Sequence, residues 1–152
     1  MLFRSRKAAR MVLFNDMNQI AVLYVSKDKY HKLPGGGIEK KESVIEALYR
    51  EIMEEVGVKA EVLGEVGLTI EYRGQFIQIS YCYYGKVIGE LEKTSFTDEE
   101  LDDGFVLKWM DLSTAISILS VDKPVNNVGK YIKERDLCLL KSYKDKLGTS
   151  MP

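Results

Sequence analysis

Residues 33–58 read LPGGGIEKKESVIEALYREIMEEVGV, and the reading of this stretch decides the rest. It opens on Pro34 and three glycines, Gly35, Gly36 and Gly37, which predict a polar, glycine-rich turn. Residues 42–56 then read as a helix, because Ile45, Leu48, Ile52 and Val56 recur at spacings of three and four and form one apolar stripe. At about 100° per residue, Glu51 and Glu55 fall on one flank of that stripe, one turn apart, with Glu54 further round and one turn from Arg50. Like charges at that spacing destabilise a helix by a few tenths of a kcal/mol. The last turn is also the wrong end of the helix dipole for anions. Two local rules broken together mark a functional site rather than scaffold.

A bound divalent cation removes the conflict. Hard ions such as Mg2+ take oxygens from one or two carboxylates, with water and substrate phosphates completing the shell. Surface pairing to Arg50, four residues from both Glu46 and Glu54, accounts for part of the cluster but not for the glycines in front of it. Glycine serves where the backbone approaches a ligand closely, and the Gly35 carbonyl is a candidate to face the same ion. A Walker-type phosphate loop does not fit, since no Gly-Lys-Ser/Thr follows the glycines.

The spacing of Gly36, Glu42 and the run Arg50-Glu51-Ile52-Met53-Glu54-Glu55-Val56-Gly57-Val58 resembles a complete Nudix box. The resemblance implies an α/β/α sandwich with a mixed central β-sheet. It implies hydrolysis, dependent on Mg2+ with Mn2+ able to substitute, of a nucleoside diphosphate linked to another group. By position it makes Glu51, Glu54 and Glu55, with the Gly35 carbonyl, the metal ligands. Arg50 orients them, Glu42 braces the loop or reaches a metal through water, and Glu54 is a candidate to deprotonate the attacking water. Gly36 and Gly37 let the chain approach the diphosphate. A glutamate from the region before residue 104 often completes such a site; Glu100, then Glu99, is the candidate here.

The 152 residues, 45% hydrophobic and 30% charged, suit one domain with a real core, residues 1–152, frayed from about 148. A net charge of −1 argues against duplex nucleic acid as a partner. Cys82 and Cys138 lie far apart in apolar surroundings and read as two buried reduced thiols. With His31 the only histidine, no zinc ligand set exists. No apolar run approaches a membrane span, and the N-terminus lacks the apolar core of a secretory signal, so a cytoplasmic location is expected.

Outward from the box, residues 9–15 and 20–26 read as a hairpin of two strands. Arg10 in the first is either a solvated basic edge or a contact to substrate. Residues 27–32 read as a polar loop in which Lys32 is surface charge or reaches a phosphate. Gly57 suits the C-terminal end of the helix. Residues 59–72, broken near Gly64 or Gly67, and 75–87 read as long strands about an Arg73-Gly74 turn. Their aromatic content follows sheet preference, and Tyr72, Phe76, Tyr81 and Tyr83 are candidates to stack on a base. Residues 88–104 lack periodicity and read as an acidic loop. Residues 105–110 read as a strand, Asp111 caps a helix over 112–119, and a terminal helix spans 128–147, capped by Asn126 or Asn127. Its apolar side is Val128, Ile132, Leu139, Leu140, Tyr143 and Leu147.

Small size resembles the MutT-like enzymes, which convert a nucleoside triphosphate, sometimes an oxidised one, to the monophosphate and pyrophosphate. The alternatives are a dinucleoside polyphosphate hydrolase, favoured by a tyrosine near Tyr72, and an ADP-ribose or nucleotide-sugar pyrophosphatase. A homodimer is an open expectation.

Overall fold

The computed structural model describes residues 4–149, and side chains through residue 147. Strand β1 (Arg4–Phe14) turns through a hairpin into β2 (Ile20–Val25). Then come β3 (Tyr30–Lys32), β4 (Gly35–Gly37) and helix α1 (Val44–Glu55). Strands β5 (Lys59–Arg73) and β6 (Phe76–Ile88) form a long hairpin. Helix α2 (Asp98–Asp102), β7 (Phe105–Met110), α3 (Leu112–Val121) and α4 (Asn127–Thr149) complete the chain.

The sheet is mixed. β1 runs parallel to β6 and antiparallel to β4, and β6 pairs antiparallel with β5. β2 pairs antiparallel with β3 and β7, and meets β1 at Phe14 and Ile20. Alternation along β1 sends Ala9, Met11 and Leu13 to one face, where they pack with Ala47, Leu48, Ile52 and Val56 of α1. Val12 faces the other way, with Ile20, Val22 and Cys82, against Ala115 and Leu119 of α3 and Leu139 and Leu140 of α4. One sheet between helices on both faces is the expected α/β/α sandwich.

Helix α1 starts at Val44 rather than residue 42, because Ser43 accepts from Glu46 N–H while Glu46 accepts from Ser43 N–H. It stops at Gly57, whose φ of +73° suits the left-handed cap and whose N–H reaches the Ile52 and Met53 carbonyls. The two glycine breaks in β5 are register shifts between Val62 and Gly64 and between Glu65 and Gly67.

Several expectations are corrected. The glycine triplet is no turn: Gly35, Gly36 and Gly37 pair with Arg10, Ala9 and Ala8. β1 begins at Arg4, not residue 9, because β6 pairs along its whole length. The polar loop over 27–32 ends in buried strand β3, with Lys32 opposite Leu23. The acidic loop contains α2, nucleated by a Thr97–Glu100 capping box. Asn126, not Asn127, caps α4, accepting from Gly129 N–H at 2.7 Å. Cys82 is a buried free thiol, but Cys138 is exposed on α4. Val128 and Leu147 are also exposed, because α4 outruns the sheet that it covers. α4 continues through residues 148 and 149, and the rest of the expected frayed tail lies outside the described residues. No described helix is long and apolar enough to cross a membrane.

Candidate active site

The apolar stripe of α1 docks on the sheet and thereby aims its acidic flank at β4. Arg50 organises that flank. Its Nε and Nη2 donate to Glu42 at 2.7 and 2.9 Å, Nη1 to Glu51 at 3.0 Å, and Nη2 to the Gly37 carbonyl at 3.0 Å. These bonds hold Glu42 down at about 2 and push Arg50 further up.

Glu55 is wholly buried. Its Oε1 accepts from Gly35 N–H at 2.7 Å, while Oε2 is buried without a hydrogen-bond partner. Lys32 Nζ stands 4.0 Å from Oε2. Burial pushes Glu55 well above the ordinary carboxylate range, against the pull of Lys32. Burial also raises Glu51, with the bond from Arg50 opposing. For Glu100 burial acts upward, but its contacts to Glu55 and to Thr97 N–H outweigh it and the net shift is down.

Oxygens of Glu51, Glu55 and Glu100 lie within 4.8 Å of one another. Oxygen donors this close, one of them orphaned in the interior, match what a hard divalent cation takes. The residues present therefore fit such an ion. Glu54 is not one of this trio; part-exposed and 3.6 Å from Arg50, it shares an adjoining groove with Glu51 and Glu100 of the trio and with Arg6, Glu39 and Thr97. Gly35 meets the cluster through its N–H. A Cβ on Gly36 would lie 2.6 Å from Glu51 Oε1, so only glycine lets strand and carboxylate come together.

Glu51 and Glu100 line a cavity of about 490 Å³, with Arg6 and Arg10 of β1 and Gln78 of β6 on its floor. Lys32, Arg73 and Arg135 add three more cations to the wall. Arg10 is buried, not a solvated edge; its Nε donates to Ser80 Oγ at 3.3 Å. Burial, assisted by Arg135, lowers its pKa to about 10. Lys32, likewise no surface charge, is lowered by burial despite Glu55. Gly36 and Gly37 also line the cavity.

The aromatic candidates are not brought to this cavity. Tyr72 is 70% exposed. Tyr72 and Tyr81 lie opposite Ile77 and Leu68, on the sheet face away from Gln78, because residue parity along β5 and β6 alternates faces. Tyr83 shares their parity. Phe76 stands at the hairpin tip, its ring 5.9 Å from the Arg73 guanidinium. A larger hollow of about 680 Å³, between Phe14, Leu63, Tyr84 and Tyr143, contains none of the trio.

Gln78, Arg73 and Arg135 were missed in the sequence. The signal was present for Gln78: with Ser80 it is a polar residue at alternate positions between Ile77 and Ile79. For Arg135 there was none, since its position depends on how α4 packs.

The family model described as NUDIX domain matches residues 4–132. The chain belongs to the NUDIX family. Its Nudix domain is 31% identical over 124 residues to the Bos taurus protein named diphosphoinositol polyphosphate phosphohydrolase 3-beta, covering 80% of this chain and 73% of that protein. The Homo sapiens 3-alpha protein is 29% identical over the same length and shares. Among solved structures, the E. coli ORF135 protein superposes with a TM-score of 0.70 at 17% identity, over 98% of this chain and 95% of that one. A MutT protein from Methanosarcina mazei Go1 gives 0.66 at 14% identity, over 96% and 97%. These two likenesses concern the fold. The protein is thus a Nudix hydrolase, of a family of pyrophosphohydrolases that use divalent metals, and an acidic cluster of Glu51, Glu55 and Glu100 is present in it.

Proposed function

We propose that this Nudix domain hydrolyses a nucleoside triphosphate to the monophosphate and pyrophosphate, with Mg2+ as its ion and Mn2+ able to substitute. The observation that carries the reading is the convergence of Glu51, Glu55 and Glu100 beside a cavity whose lining includes Arg6, Arg10 and Lys32. When bound there, the ion neutralises phosphate oxygens and lowers the pKa of water. Glu51, Glu55 and Glu100 hold it. Arg50 fixes Glu51 and the loop that carries Glu42. Arg6 and Lys32 face the phosphates, and Gly36 and Gly37 bring strand β4 close to them. Glu54, outside the trio, accepts the proton of the attacking water.

A second reading has a specific observation behind it. Relatives are named for diphosphoinositol polyphosphates, and Arg6, Arg10 and Lys32 line the cavity beside Arg73 and Arg135, which are paired with Glu71 and Asp136. The dinucleoside polyphosphate alternative loses the residue that favoured it, since Tyr72 lies outside the cavity.

The test is a substrate panel assayed with and without Mg2+. Pyrophosphate released with a nucleoside monophosphate supports the first reading. Orthophosphate from a diphosphoinositol polyphosphate, with nucleotides inert, replaces it by the second. Turnover that survives chelation of divalent ions removes both.

A further inference from the structure

The floor of the cavity holds two polar atoms that nothing in the described protein satisfies. Arg10 Nη1 and Gln78 Oε1 are both fully buried and both lack a hydrogen-bond partner. Gln78 is 2% exposed and Arg10 4%, and both line the cavity. Both side chains lie on the same face of the β1–β6 pair, Gln78 opposite Arg6 and Arg10 opposite Cys82. Arg10 reaches from β1 to Ser80 on β6, and Gln78 is the preceding residue on that face of β6, about 7 Å along the strand. Buried polar groups are almost always paired. A cationic donor and an amide acceptor without partners in the lining of one cavity are candidates to recognise whatever enters.

The acceptor is the informative member. A phosphate offers only acceptor oxygens, and the surrounding wall already supplies cations for those. An amide oxygen repels phosphate and accepts an N–H or O–H. Opposite this floor, α4 contributes Ile132 and Val128, apolar side chains that suit a flat ring and not a charged group. The geometry points to Gln78 as the residue that selects a nucleobase, accepting one of its N–H groups while Arg10 donates to an adjacent ring acceptor. A donor beside an acceptor is what a base edge presents. This deepens, and rests on, the nucleotide reading above.

The experiment compares kcat/KM for a nucleoside triphosphate and for inorganic triphosphate, in the wild type and in Gln78→Met, which keeps the volume and removes both amide functions. The expected result is that the ratio of the two falls about ten-fold or more in the variant. An unchanged ratio overturns the assignment. A second measurement needs no variant: titration of the wild-type protein with a nucleoside monophosphate and with ribose 5-phosphate. Tighter binding of the nucleotide by about ten-fold or more supports the assignment, and equal binding overturns it. A wild-type enzyme that cleaves diphosphoinositol polyphosphates but no nucleoside triphosphate removes the nucleotide reading together with this one. Nucleotide cleavage with an unchanged ratio removes this one alone.

Discussion

At the scale of single residues, the site depends on which glutamates share an oxygen cage. Glu51 and Glu55 are one helical turn apart on α1 and Glu100 arrives from a distant segment, whereas Glu54 is not in the trio and shares only a groove with Glu51 and Glu100. Glu55→Gln is expected to abolish most turnover and weaken Mn2+ binding, measured by titration. Glu100→Gln is expected to weaken Mn2+ similarly, and Glu54→Gln to lower kcat while leaving Mn2+ affinity near the wild-type value. Equal loss of ion binding in all three would contradict the grouping. Gly36→Ala tests the close approach of β4. The new methyl displaces Glu51, and a misplacement of about 1 Å costs about 100-fold in rate. Thermal unfolding should move far less than activity does. The box glutamates were legible because their charges contradict helix chemistry locally. Glu100 was narrowed only to a choice with Glu99, because nothing in TDEELDDG marks which carboxylate turns inward.

Among the elements, the short ones escaped the sequence. β3 and β4 have three residues each and no periodicity of their own; they exist because β2 and β1 offer edges to pair with. Residues 27–32 looked like surface because five of six are charged or carry a ring nitrogen, yet Lys32 and His31 are buried by pairing with β2 and by Asp122, which accepts from His31 N–H. The long elements were legible within a few residues, since their apolar patterns extend over two or more turns or alternations. Helix α2 links structure to chemistry: Glu100 is both its N3 capping residue and a member of the carboxylate trio. Thr97→Ala removes one side of that capping box. Helix caps are worth about 1 kcal/mol, and in a helix of five residues that loss frees Glu100. Activity at limiting Mg2+ should fall several-fold, recovering as Mg2+ is raised, whereas Ser43→Ala on α1 should lower the urea midpoint without changing the Mg2+ dependence.

Across the whole molecule, one buried network ties the far end of the chain to the site. Asp136 of α4 accepts from Leu33 N–H at 2.9 Å, immediately before the glycines, and pairs with Arg135 at 2.7 Å. Arg135 in turn bonds Glu71 at 3.1 Å, and Glu71 pairs with Arg73 on the cavity wall. Burial acts to raise Asp136, but Arg135 and Arg10 outweigh it and hold the carboxyl below its usual range. Unfolding returns it to about 4. The unfolded chain therefore takes up the proton first as pH falls, so the contribution is complete above pH ~4 and vanishes as pH drops through the lower folded value. Asp136→Asn leaves Arg135 without its closest counter-charge and should cost about 3–5 kcal/mol at neutral pH. In urea titrations the gap between wild type and variant should close in acid; a gap that is constant with pH would assign the loss to packing. The same network has an implication for chimaeras. Arg135 and Asp136 lie past the segment that the family model matches. A hybrid that imports the recognisable portion and borrows its last helix from a cousin would keep every signature residue and still let the segment ahead of the glycines drift. Compatibility between such halves has to be judged by whether the guest helix brings an aspartate to the Leu33 amide.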